Sequence, residues 1–189
     1  MKHLYFFVIL TTLVLTNAAS QQSASMPSAS MPAAELSFSF TRQSGSASNQ
    51  FAAWIEDSQG KHVKTLYATR WTANGGWSRR PSSIPVWVKQ SNLSQMPRAQ
   101  VDAVSAATPR TGALTYTWDG TDSQGTAVPP GNYTLILEGT LRWENQVYYR
   151  APIRLGQGAA TPQVSVEYTG DGAAAERVMI GNVRVRALR

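Results

Sequence analysis

The chain has 189 residues, 42% of them hydrophobic and 10% aromatic, which is enough for one domain with a substantial core. It carries 17 Lys and Arg against 11 Asp and Glu, for a formal net charge of +6. With no Cys, and His only at 3 and 62, disulfides, thiolate metal sites, iron–sulfur clusters, c-type haem attachment and multi-His metal sites are excluded.

Met1-Lys2-His3 gives a positively charged start, and Leu4 to Leu15 is an apolar run broken only by Thr11 and Thr12. That run is too short for a bilayer-spanning helix, which needs roughly 20 residues. Small residues follow it, so residues 1–19 are expected to be a signal peptide cleaved near Ala18 or Ala19, placing the mature protein in the periplasm. Ser23-Ala-Ser-Met-Pro27 repeats at once as Ser28-Ala-Ser-Met-Pro32. This small, Pro-punctuated stretch predicts a flexible linker over 20–34 and a folded domain over 35–189.

Within that domain the apolar period is mostly two. Leu36, Phe38 and Phe40 alternate with Ser37, Ser39 and Thr41. Phe51–Ile55 and Val63–Tyr67 flank Asp57-Ser-Gln-Gly60, a turn sequence that predicts a hairpin. A second hairpin is expected about Trp143–Gln146, between Tyr133/Leu135/Leu137/Leu141 and Val147/Tyr149/Ile153/Leu155. In the last strand Val178 and Ile180 lie on one parity and Val183 and Val185 on the other, so a bulge is expected at Gly181-Asn182. Trp54 and Trp118 fall in these patterns as core residues. The fold expected is mainly β, an immunoglobulin-like antiparallel β-sandwich.

Residues 70–112 interrupt this scheme with no strand-like alternation. Ser83–Ser91 predicts one short helix, and Pro97 opens another over Arg98–Asp102. The insertion holds Trp71, Trp77 and Trp87 together with Arg79, Arg80, Lys89, Arg98 and Arg110. Core-capping accounts for such a composition, but long insertions in compact domains are also where function concentrates. Within it, Asp102-Ala-Val-Ser105-Ala106-Ala107-Thr108 precedes Pro109. The alanines leave the Thr108 hydroxyl uncrowded, and Pro109 pushes Thr108 towards an extended backbone. No His lies nearby to act as base, so this hydroxyl suits a substrate of modification better than an autonomous nucleophile.

The seven residues 102–108 resemble the flavinylation motif of bacterial FMN-binding domains, with Ala106 where Gly is usual. The resemblance implies that a magnesium-dependent FAD:protein FMN transferase joins FMN through its phosphate to Thr108. Asp102 and Ser105 are then recognition positions, and Ala106 and Ala107 are the small residues of the same cofactor site. Phe51–Asp57, Lys64–Tyr67, Gly75-Gly76-Trp77, Pro85-Val-Trp87 and Thr117–Asp122 together resemble a family of periplasmic proteins of unassigned function. Members are often encoded near flavin transferases and PepSY-type membrane proteins. Trp118–Gly125 and Val128–Tyr133 also resemble the immunoglobulin-like module of flagellar hook-capping proteins.

The expectation is a periplasmic flavoprotein that carries electrons from a membrane reductase, PepSY-type or other, to a periplasmic acceptor. Trp71, Trp77 or Trp87 would stack on the flavin ring, and Arg110, or else Arg79 or Arg80, would meet its phosphate. The alternative is a non-catalytic immunoglobulin-like binding or scaffold module. Three further readings carry less. Asp119 and Asp122 lack calcium-loop spacing and fit turn chemistry. Arg177, Arg184, Arg186 and Arg189 suit a solvated strand face in an exported protein for which nucleic acid is not an expected partner. His62 has no nucleophile motif beside it for a hydrolase.

Overall fold

The computed structural model describes residues 31–44, 48–171 and 178–189. The expected signal peptide, the linker up to residue 30, and Arg177 lie outside the described residues.

Strand β1 (Ala34–Phe40) buries Leu36, Phe38 and Phe40 and half-exposes Glu35, Ser37 and Ser39, as its period of two requires. It is the middle strand of a three-stranded sheet, antiparallel to β5 (Gly112–Trp118) and to β9 (Ile180–Ala187). Against β9 the register runs Ser37 to Arg184 but Ser39 to Gly181, so β9 carries one extra residue. Asn182 absorbs it with φ +54°, which is the bulge expected at Gly181-Asn182.

The larger sheet has six strands, in the order β4 (Ser105–Ala106), β3 (His62–Thr69), β2 (Gln50–Asp57), β6 (Gly131–Arg142), β7 (Asn145–Leu155) and β8 (Ser165–Thr169). All its pairings are antiparallel except β3 with β4. The β2–β3 turn is closed by Asp57 Oδ1, which accepts the backbone N–H of Gln59 and Lys61 at 2.9 and 3.0 Å. The β6–β7 turn is Trp143-Glu144, with Trp143 at φ +53°. The mainly β, two-sheet sandwich with short helices is the expected architecture.

The sandwich core lies between the two sheets and joins Leu36, Phe38, Phe40, Phe51, Ile55, Leu135, Leu137, Ile153 and Trp118. At one end a column of rings crosses it: Phe40 to Phe51 (5.3 Å), Phe51 to Tyr67 (4.9 Å) and Tyr67 to Tyr116 (4.9 Å).

A second core lies on the other side of the large sheet. Ala52, Trp54, Ala68 and Ile136 project there and are covered by Ile84, Trp87, Leu93 and Val101 of the insertion. β2 is therefore buried on both faces. The covering layer runs through a wide π-helical turn (Thr72–Gly76), α1 (Trp77–Arg79), α2 (Pro85–Gln90), a 3₁₀ turn (Leu93–Gln95) and α3 (Arg98–Val104). Gly76 has no room for a side chain, because a Cβ there would collide with the Trp71 carbonyl and ring. Pro85 opens α2, where its missing N–H costs nothing.

Two polar groups of β6 pin this layer to the sheet. Thr140 Oγ1 accepts the Ile84 N–H at 2.8 Å, holding that residue at φ +41°, a conformation a β-branched side chain rarely adopts. Glu138 is fully buried and accepts the free N–H groups of Val86 (3.0 Å) and Trp87 (2.7 Å) at the start of α2. Burial pushes its carboxyl up to about 7, opposed by those two N–H groups, the Tyr148 hydroxyl and Arg150.

Candidate functional site

The segment with chemical content forms the route from one sheet to the other. α3 delivers the chain to β4 at the edge of the large sheet, and residues 107–111 cross to β5 at the edge of the small one. Two backbone pairs hold β4, Ala68 with Ser105 and Thr69 with Ala106. The crossover is tied at both ends. The Tyr67 hydroxyl donates to the Ala107 carbonyl at 2.8 Å and lies 3.3 Å from that of Ala106, and Thr111 Oγ1 accepts the Arg42 N–H at 2.9 Å.

Thr108 stands between these ties, half-buried, and its hydroxyl has no hydrogen-bond partner among the described residues. Ala106 and Ala107 are exposed. Asp102 is exposed on α3 and bridges Arg98 one turn earlier, Nε to Oδ2 at 3.0 Å. Ser105 is only 6% exposed, and its Oγ is a buried polar atom with no partner among the described residues.

The basic and aromatic candidates separate. Arg110 is exposed, two residues beyond Thr108. Arg80 is committed elsewhere: its Nη2 donates to the Trp143 carbonyl at 3.0 Å and its guanidinium lies 5.8 Å from the centroid of that ring. Arg79 is exposed on α1. Trp87 is not available for stacking on a cofactor: it is fully buried in the second core and its Nε1–H donates to Thr65 Oγ1 at 3.0 Å. Trp77 lines a groove with Pro81, Pro85, Val88 and Lys89, to which no residue of 102–108 contributes. Trp71, 44% exposed, lies two residues beyond the end of β3, whose last residue Thr69 pairs with Ala106 just before the crossover.

Two residues outside the sequence-based set belong to this corner. Tyr67 anchors the crossover, and burial pushes its hydroxyl up to about 12, with the Arg70 charge opposing the rise. Arg70 therefore lies within electrostatic reach of the group that holds the Ala107 carbonyl. The Lys64-Thr-Leu-Tyr67 pattern contained Tyr67 only as a strand residue, and Arg70 carried no signal beyond its charge.

Beside α3 opens a cleft of about 390 Å³ lined by His62, Lys64, Leu66, Gln100, Ala103 and Val104 among others. Burial lowers the His62 pKa to about 4, and its Nε2 lies 2.8 Å from Thr65 Oγ1. Thr65 Oγ1 also accepts the Trp87 Nε1–H, so one hydroxyl meets both the imidazole and the second core.

At the acidic turn, Asp119 is engaged by the Lys64 ammonium (2.9 Å) and by Thr121, while Asp122 Oδ1 accepts the Gln124 and Thr126 N–H groups. These carboxylates are thus occupied in turn chemistry. No group of three or more metal-ligating side chains occurs among the described residues. Arg184, Arg186 and Arg189 are exposed. Among the described residues no helix is long and apolar enough to cross a membrane.

No curated protein matches the chain. The family described as "Predicted periplasmic protein (DUF2271)" matches residues 33–172, which take in the six-stranded sheet, the helical layer, the crossover, and β1 and β5 of the smaller sheet. The periplasmic location accords with the leader-like start of the sequence. The chain belongs to the DUF2271 family of predicted periplasmic proteins.

Proposed function

We propose that the protein is a periplasmic electron carrier bearing FMN covalently on Thr108. One observation carries the reading: an uncommitted, half-buried hydroxyl on a short crossover fixed at both ends and flanked by exposed alanines. In the attachment step Thr108 Oγ1 attacks the FMN-side phosphorus of FAD. A new P–O bond forms, the pyrophosphate P–O bond breaks, AMP leaves with the bridging oxygen, and the hydroxyl proton passes to a base of the transferase. Among the described residues no base hydrogen-bonds the Thr108 hydroxyl, which supports assigning the step to a separate transferase.

The residues present fit the group. Arg70 and Arg110 can neutralise the charge of a phosphodiester at Thr108. Trp71 offers an exposed aromatic face at the same end of β3. Ser105 can be read by a transferase only if β4 leaves β3, and with two backbone pairs to break that local opening is inexpensive. When bound, the flavin supplies one- or two-electron transfer, while the chain sets its exposure and surrounding charge.

The absorption spectrum of protein purified from its native periplasm tests the reading. A flavin spectrum that survives denaturation and gel filtration is expected. Protein that is colourless in a periplasm containing an active flavin transferase would leave the scaffold alternative.

A further inference from the structure

The helical layer over the large sheet has an unusual charge. From Arg70 to Val101 there are five basic residues (Arg70, Arg79, Arg80, Lys89 and Arg98) and no Asp or Glu. This stretch contributes +5 of the net +6, leaving +1 for all other residues. Its inner side is spent on the second core, so the charges face outward: Arg70, Arg79, Lys89 and Arg98 are exposed and Arg80 is half-exposed. Among the described residues Arg98 is the one of the five with a carboxylate ion pair, to Asp102 at the border of the layer.

The same face carries aromatic rings in the wrong place for a core. Trp143, at the β6–β7 turn, is 58% exposed and contacted by Arg80 at its carbonyl and its ring, and Trp71 is 44% exposed. Between the cations runs the groove of Trp77, Pro81, Pro85 and Val88. Among the described residues the acids bordering this face include Asp102, paired with Arg98, Glu144 beside Trp143, Asp171 next to the Gly170 that packs against Glu144 and Asn145, and Glu167, which pairs with Arg150.

Cations with apolar stems, interspersed with half-exposed tryptophans, form the arrangement that settles at a lipid headgroup layer. The ammonium and guanidinium groups meet phosphate while the indoles enter the headgroup boundary. We infer that this layer is a docking face for an anionic phospholipid surface. The location of the family supplies the setting, since a periplasmic protein faces a membrane. The inference does not depend on Thr108 or on any cofactor.

Vesicle flotation tests it, using the full mature chain with phosphatidylglycerol/phosphatidylcholine vesicles and with pure phosphatidylcholine vesicles. Binding to the anionic vesicles alone is expected, weakening steeply as salt is raised. Neutralising two exposed cations in Arg79→Gln/Lys89→Gln is expected to lower the partition coefficient about 25-fold, from about fivefold for each charge near the surface. Among the described residues neither side chain makes a hydrogen bond or an ion pair, and Trp143→Ala is expected to weaken binding further at high salt. A control pair on the opposite sheet, Arg184→Gln/Arg186→Gln, is expected to leave binding within about twofold. No binding at low salt, equal binding to neutral vesicles, or equal losses from the two double variants would overturn the inference. Retained affinity for an acidic protein without vesicle binding would do the same, assigning the face to a protein partner.

Discussion

The buried carboxyl of Glu138 makes a prediction that can be worked through numerically. In the fold its pKa is pushed up to about 7 by burial, against an ordinary 4.5. A raised acid is favoured in its neutral form by the native state, so its contribution to stability is fully present below about pH 4.5 and is lost as pH rises through about 7. The difference corresponds to about 3 kcal/mol across that window. His62 acts with the opposite sign. Burial lowers its pKa to about 4 from 6.5, so its contribution is present above about pH 6.5 and is lost as pH falls through about 4.

The two slopes oppose one another between about pH 4.5 and 6.5, and the wild-type protein is expected to show little net pH dependence there. Glu138→Gln unmasks the histidine. The variant is destabilised at every pH because its amide turns an N–H towards one of the two backbone N–H groups that the carboxyl serves, and the deficit is largest at low pH, where the neutral carboxyl of the wild type contributes most. The deficit relative to wild type shrinks by about 3 kcal/mol as pH rises from 4.5 to beyond 7. Urea unfolding followed by tryptophan fluorescence at a series of pH values measures this difference, in which all other titrations cancel. A deficit that is constant with pH would refute the account of Glu138 as a buried, raised carboxyl.

Three further outcomes follow from particular contacts. Trp87→Ala empties the centre of the second core and is expected to cost about 3–5 kcal/mol in urea unfolding, with the helical layer exchanging amide hydrogens before the sandwich does. Tyr67→Phe removes the hydroxyl that ties the crossover; a loss of about 1 kcal/mol is expected, with faster hydrogen exchange confined to residues 105–108. Ser105→Ala deletes a buried hydroxyl with no partner and is expected to stabilise the fold by up to about 1 kcal/mol, while making the chain a poorer substrate for flavin transfer. Improved stability with unchanged transfer would show that the transferase does not read this residue.

The strands were legible because burial on one face leaves a period of two. Leu36/Phe38/Phe40 and the two hairpins follow it, and the parity change at Gly181-Asn182 is the observed bulge. The second core was harder to see. Its one signal is Phe51–Ile55, five apolar residues in a row with no alternation, which marks a strand covered on both sides. Read that way, the run would have announced a layer over the sheet and placed Trp87 inside it.

Glu138 gave no sign, because its partners are backbone N–H groups of an element some fifty residues away. At the crossover, the accessible alanines and Thr108 were readable from side-chain size and from Pro109. The burial of Ser105 and the tie from Tyr67 depend on β4 pairing in parallel with β3, a long-range choice that two residues cannot encode. The charge of the layer could be counted directly, but its meaning depended on knowing which side of α1 and α2 the core consumes.

The most direct measurement is the mass of the mature chain after incubation with FAD, magnesium and a flavin transferase, for wild type and for Thr108→Ala. The account predicts an increase equal to one FMN moiety on wild type, mapping by peptide analysis to Thr108, and no increase on the variant. An unmodified wild-type chain in a reaction where a known acceptor is modified, or an equal mass gain on Thr108→Ala, would contradict it.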